Sequence, residues 1–186
     1  MSLMQKKNLV FVDVETTGLD PDIQEVIQIG CVVVSQEWSA DGKPEFKMIE
    51  EFELKIKPIN IAVADKVALR INGYNETDWV FAYDLKQAME IFAKKTADCI
   101  MIGHNVCFDF MFIDKAFKKS GVENKMHYHK LDTISIAFAK LHSEGDADRF
   151  SLNFLCEYFK IENKKAHTAL SDSRATFEVY KKLMSM

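Results

Sequence analysis

The apolar positions of this chain change rhythm part-way along. The first third runs in strand-like stretches. Leu9-Val10-Phe11-Val12 opens a buried strand over residues 9–14, and residues 25–34, rich in β-branched side chains and preceded by Asp20-Pro21-Asp22, make a second. After the turn signal Asp41-Gly42-Lys43-Pro44, residues 46–57 alternate well enough for a third strand that stops before Pro58. The links between these three are too short for crossover helices, so they predict an antiparallel meander. Beyond residue 60 the spacing turns helical. A short helix is expected over 62–69 and a longer one over 84–95, where Leu85, Ala88, Met89 and Phe92 share a face. Residues 98–103 read as a brief buried strand, 108–120 as a helix stopped by Gly121, and 128–131 as a last strand leading into a helix after Asp132-Thr133. Helices over 152–159 and about 168–183 close the pattern. Meandering strands followed by alternating helices and short strands predict an α/β fold, a mixed sheet flanked by helices.

Composition narrows this picture. A chain of 186 residues with 48% hydrophobic content can close one substantial core, and no linker, repeat or low-complexity tract divides it. The expected organisation is an N-terminal tail over 1–7, with 1–3 resembling an expression scar ahead of Met4, and one domain over 8–186. No run of about 18 apolar residues occurs. The N-terminus also lacks the apolar core of a secretion signal, so a cytoplasmic location is expected. Cys31, Cys99, Cys107 and Cys156 are scattered, without a Cys-x-x-Cys pair or a His at zinc spacing, which predicts buried reduced thiols. The net charge of −4 at first disfavours a nucleic-acid partner. That objection weakens if several acids face a cation and only a chain end is gripped. Lys115, Lys118, Lys119 and Lys125 form one basic cluster and Lys160, Lys164 and Lys165 another, each equally readable as a solvated face. Any nucleic-acid binding should be weak and salt-sensitive.

The chemistry lies in three separated segments. Asp13 and Glu15 interrupt an apolar run two positions apart, so they project from one side of a buried strand. Like charges placed there need neutralising, and a divalent cation such as Mg²⁺ or Mn²⁺ suits hard carboxylate oxygens. Asp109 follows a buried strand at the start of a helix, near the sheet edge where α/β proteins bind ligands. Taken alone it equally suits a helix N-terminus, and His104 a loop histidine bonded to backbone. His167 and Asp172 are five residues apart, and inside one helix they would be rotated by about 140°. They converge only if His167 stands at the helix start or before it. There the helix dipole disfavours imidazolium while carboxylates favour it, which leaves His167 able to accept a proton near neutrality. Four acids and a histidine suit phosphodiester hydrolysis by two metals about 4 Å apart.

Asp13-Val14-Glu15-Thr16-Thr17-Gly18-Leu19, Gly103-His104-Asn105 through Asp109, and Ala166-His167 through Asp172 resemble the three motifs of the DEDD superfamily of 3′→5′ exonucleases, in its histidine-containing (DEDDh) branch. Leu131-Asp132-Thr133 and Ser151-Leu152 also match its habit, so the resemblance covers nearly the whole chain. It implies a ribonuclease H-like fold with a five-stranded mixed sheet between helices. It further implies two divalent cations on Asp13, Glu15, Asp109 and Asp172, with His167 as general base. The implied substrate is a single-stranded DNA or RNA 3′ end, shortened by release of nucleoside 5′-monophosphates. Thr16, Thr17, Gly18 and Leu19 would hold the terminal nucleotide, with Leu19 against its base and Glu15 near the 3′-hydroxyl. Phe108 is a candidate to stack on a base, with ordinary core packing as the alternative. His104 and Asn105 complete the set, Asn105 as a prop for its loop.

Within the family, Glu15-Thr16-Thr17-Gly18 and His104-Asn105-Val106 look closer to the proofreading (epsilon) subunit of bacterial DNA polymerase III and its stand-alone relatives than to oligoribonuclease. Ribonuclease T shares the same catalytic set, so an RNA-processing exoribonuclease is the alternative, beside a nuclease-fold binding module without hydrolysis. The chain stops soon after its last helix, which favours a free-standing nuclease or an excised domain; polymerase association and a homodimer both stay open. Residues 142–148 read as an exposed loop with no assigned role.

Overall fold

Alternation in the first strand, Leu9–Thr16 (β1), sends Leu9 and Phe11 to one face and Val10, Val12 and Val14 to the other, and all five are buried. Strand β2, Val26–Trp38, is buried along its first nine residues, as expected of a strand covered on both faces. It pairs antiparallel with β1 and with β3, Pro44–Lys55. Two short strands, β4 (Ile100–Gly103) and β5 (Lys130–Asp132), then join in parallel, giving the order β3-β2-β1-β4-β5. The computed structural model describes residues 4–143, 149–162 and 168–186. The predicted meander and five-stranded mixed sheet are both present.

Among the described residues six helices accompany the sheet: α1 (Lys66–Ile71), α2 (Leu85–Lys95), α3 (Val106–Ser120), α4 (Thr133–Leu141), α5 (Leu152–Phe159) and α6 (Ala169–Met184). Helices α2 and α3 close over Val10, Val12 and Val14. On the opposite face, α6 lays Phe177 and Tyr180 against Phe11, with ring centroids 4.9 and 5.3 Å apart. Burying a side chain such as Phe11 contributes roughly 1.5–3 kcal/mol, so this face anchors α6 firmly. Helices α4 and α5 pack on the other side of α6, around Leu141, Leu155 and Val179.

Several boundaries differ from the sequence expectation, each for a local reason. The helix expected over 62–69 splits into a 3-10 turn, Ile61–Val63, and α1, because the Asp65 side chain accepts the Val67 N–H and starts a new helix. Helix α3 begins at Val106 rather than 108, since the Asp132 carboxylate accepts the Asn105 and Val106 N–H groups at 3.2 and 3.0 Å. It ends at Gly121 in the left-handed conformation (φ 69°), as expected. Strand β3 is shifted towards the turn, and β5 covers 130–132 instead of 128–131. Residues 4–7 do not trail away: Gln36 Nε2 donates to the Met4 and Lys7 carbonyls. Cys31, Cys99 and Cys156 are buried, but Cys107 is exposed on α3, which corrects the expectation that all four thiols lie inside. Part of the first lysine cluster is ion-paired, Lys115 with Asp22 and Lys118 with Asp114. Among the described residues no helix is long and apolar enough to cross a membrane. Residues 144–148 of the expected loop lie outside the described residues.

One glycine governs how closely α6 approaches the sheet. Gly30 lies opposite Asp13 in the β1–β2 ladder, and a Cβ built on it would stand 2.1 Å from the Ala169 carbonyl carbon. The Ser173 hydroxyl donates to the Gly30 carbonyl at 2.9 Å, so main chain meets helix directly. Because the obstacle is backbone, it cannot swing aside. Gly30→Ala should therefore cost about 3 kcal/mol, the upper end of ordinary overpacking. Urea unfolding of the two proteins measures it, and a loss under about 0.5 kcal/mol would contradict this account.

Candidate active site

Strand alternation and the start of α6 build the centre of the site. Asp13 and Glu15 follow Leu9 and Phe11 on the α6 face of β1, and Asp172 stands in the first turn of α6. One carboxylate oxygen from each of Asp13, Glu15 and Asp172 lies within 4.8 Å of the other two. Asp109 arrives from the opposite side. It belongs to the first turn of α3, which packs on the other face, and it is only 2% exposed. Strand β4 pairs with β1 only at Leu9, Val10 and Phe11, so the Val14 N–H lies beyond its reach. Asp109 Oδ1 accepts that N–H at 3.0 Å. Its placement in a first helical turn also favours the carboxylate electrostatically.

The electrostatics of the cluster are those of a cation site. Burial raises the Asp13 carboxyl well above its ordinary range, and the charges of Asp109, Asp172 and Glu15 push it the same way. Burial and then Asp172 lift Glu15 to about 7. Asp109 is pushed up to about 8, mainly by burial; the Val14 N–H opposes the shift, and Asp132 and Glu15 add to it. Acids so crowded hold protons at neutral pH unless a positive charge displaces them. Clustered oxygen donors without a thiol among them match a hard divalent cation.

Supporting residues fix these acids. Asp132 accepts the N–H of Asn105, Val106 and Ile134, at 3.2, 3.0 and 2.8 Å, and so caps both α3 and α4. The Thr133 hydroxyl donates to the Gly103 carbonyl at 3.2 Å and meets His104 Nδ1 at 2.9 Å. Gln28 Oε1 accepts the Ala169 N–H at 3.3 Å and holds the start of α6. The sequence alone points to neither Gln28 nor the capping role of Asp132. Gln28 did leave a signal, as a polar residue inside a buried apolar run.

His104 is half-buried behind the loop, and burial lowers its pKa. Asn105 is exposed and left-handed (φ 68°); its backbone, not its side chain, ties the loop to Asp132. Phe108 is half-buried with its ring 5.0 Å from Phe112, leaning on the core. Thr16 and Thr17 are buried: the Thr16 hydroxyl donates to the Gly18 carbonyl at 2.6 Å, and that of Thr17 donates to Gln24 Oε1 at 2.8 Å. Leu19 is 79% exposed beside them. His167 lies outside the described residues.

Residues 10–180 match the exonuclease family of the ribonuclease T type. The chain belongs to this family of DEDD exonucleases. DNA polymerase III of the PolC type from Caldanaerobacter subterraneus subsp. tengcongensis is 28% identical over 94% of the chain, which spans only 11% of that polymerase. Ribonuclease T from Shewanella frigidimarina is 29% identical over 92% of the chain and 79% of its own length. The structure of E. coli exonuclease I in complex with a dT13 oligonucleotide superposes with a TM-score of 0.76 at 20% identity, over 95% of this chain and 41% of that one. That likeness bears out the ribonuclease H-like fold.

A pH dependence follows for the DEDD domain freed of metal. Glu15 at about 7 and Asp109 at about 8 stand above ordinary carboxylates, so the folded chain binds more protons than the unfolded one. Their stabilising protonation is complete below the unfolded values and is lost as pH rises through the folded ones. The melting temperature in EDTA should therefore fall between about pH 5 and pH 8, and added Mn²⁺ should raise it more at pH 8, where fewer protons compete. Melting curves at both pH values, with and without Mn²⁺, check this; equal Mn²⁺ shifts would contradict it.

Proposed function

We propose that this DEDD domain hydrolyses phosphodiester bonds one at a time from the 3′ end of single-stranded nucleic acid, releasing nucleoside 5′-monophosphates. The observation that carries this reading is the convergence of Asp13, Glu15 and Asp172 within 4.8 Å. Two divalent cations, Mg²⁺ or Mn²⁺, would supply charge neutralisation at the phosphate and a lowered pKa for the attacking water. Asp13, Glu15 and Asp172 would hold the first. Asp13 and Asp109 would hold the second more weakly, since one Asp109 oxygen is committed to the Val14 N–H. His167 is the proposed general base, a role that rests on its motif. Helix α6 itself starts at Ala169, two positions later in the sequence.

The loop after Glu15 suits the terminal nucleotide. Hydrogen bonds within the loop restrain Thr16 and Thr17, while Leu19 offers a free apolar side chain to press against a base. Exonuclease I bound to dT13 supports a DNA substrate. The match over 79% of ribonuclease T supports the RNA alternative, and rates on matched DNA and RNA oligonucleotides decide between them. Association with a polymerase is supported by the PolC relatives. A cytoplasmic location completes the reading.

The test is nucleotide release from a 5′-labelled single-stranded oligonucleotide in Mg²⁺. Products should shorten stepwise from the 3′ end, stall at a blocked 3′-hydroxyl and cease in EDTA. His167→Ala should lower the rate about 10²–10⁴-fold, as for loss of a general base. Asp172→Asn should abolish turnover without lowering the melting temperature, because it removes one of several crowded charges. An Asp172→Asn variant that keeps wild-type turnover would reject the mechanism.

A further inference from the structure

Strand β1 outlasts its neighbour. Beyond Phe11, β4 no longer pairs with it, yet this stretch carries both Asp13 and Glu15. Two side chains serve the edge that β4 leaves. Asp109 accepts the Val14 N–H at 3.0 Å, and Asn72 Nδ2 donates to the Thr16 carbonyl at 2.9 Å. Residues two apart in a strand present their peptide groups to the same edge, and Glu15 lies between these two. Asn72 therefore does on one side of Glu15 what an active-site acid does on the other.

Asn72 is well held for that task. It caps the end of α1 and is only 8% exposed, and its Oδ1 accepts the Tyr74 N–H at 3.1 Å. The Tyr74 ring lies 5.0 Å from Trp79, whose indole N–H donates to the Ile27 carbonyl at 3.1 Å. Nearby, the Asp65 N–H donates to the Thr17 carbonyl at 2.7 Å, and Gln24 Nε2 to the Val63 carbonyl at 2.9 Å. The α1 region is thus moored along the loop proposed to grip the terminal nucleotide. Asparagine suits this position because its amide offers a donor and an acceptor together.

We propose that Asn72 is a positioning residue that aims the Glu15 carboxylate and sets the lie of the 17–19 backbone, acting through the Thr16 carbonyl. The proposal rests on the metal-dependent nuclease reading. The competing explanation is that Asn72 merely closes the turn after α1. Asn72→Asp separates the two, because aspartate keeps the acceptor for the Tyr74 N–H and loses the donor to Thr16. Asn72→Ala loses both.

Both variants are compared with the wild type at pH 8.5, by Mn²⁺ titration calorimetry and by kcat and KM on a single-stranded oligonucleotide, with folding verified by circular dichroism. The expected result is that each variant binds Mn²⁺ about 10-fold more weakly and loses about 10-fold in kcat, the usual scale for a supporting contact behind a metal ligand. If Asn72→Asp stays within twofold of wild type in both, the proposal is overturned and the turn explanation stands. Should Asn72→Asp fail to fold, the Asn72→Ala arm decides: a lowered melting temperature with unchanged Mn²⁺ affinity and kcat overturns the proposal. A wild type that binds Mn²⁺ but releases no nucleotide defeats the nuclease reading alone, and calorimetry still judges Asn72. A wild type that binds no Mn²⁺ overturns both.

Discussion

Three carboxylates converge at one end of the sheet while a fourth, Asp109, acts on them from the other face, and much of the architecture answers the repulsion that results. Burial and mutual charge both oppose ionisation of Asp13, so the cluster is a destabilising island in a chain otherwise rich in apolar contacts. Its cost is offset elsewhere. The valine face of β1 under α2 and α3, and the Phe11 face under α6, bury large side chains on both sides of the strand that carries the acids. A cation bound there would convert the same repulsion into attraction, so the proposed function and the stability of the fold would meet at this point.

The acids also reach their places by different means. Asp13 and Glu15 need only the pleat of β1. Asp172 needs α6 docked on Gly30, and Asp109 needs α3 started at Val106 by the Asp132 carboxylate. The strand pair is therefore rigid by its ladder, whereas the two helical acids depend on hydrogen bonds at helix starts. Helix α6 is held there by Gln28 and Ser173, and α3 by Asp132, all three acting on main-chain groups.

What could be read without coordinates follows the range of the interactions. Local signals carried far: the alternation of β1, the turn before β3, Gly121 after α3 and the two-residue spacing of Asp13 and Glu15 all depend on neighbours in sequence. The motif resemblance extended this to Asp109 and Asp172. Contacts between distant residues left little trace. Nothing near Asn72 announces its bond to Thr16, 56 residues away, and nothing at Gly30 announces the helix that packs on it. The split of the 62–69 helix at Asp65 has a different origin, a cap hidden inside apolar spacing. Relatives such as the PolC-type polymerase and ribonuclease T share this domain in chains of very different length. A common scaffold of this kind leaves substrate choice to the loops around it.

The contact at Gly30 has a bearing on how such a domain diverges. Because α6 rests on strand backbone there, the separation between Asp13 and Asp172 is set by two main chains rather than by side chains that mutation can enlarge or trim. Much of the surrounding apolar packing is then free to drift while that spacing survives. Relatives 28% and 29% identical aligned along more than nine-tenths of the chain are what such insulation would permit.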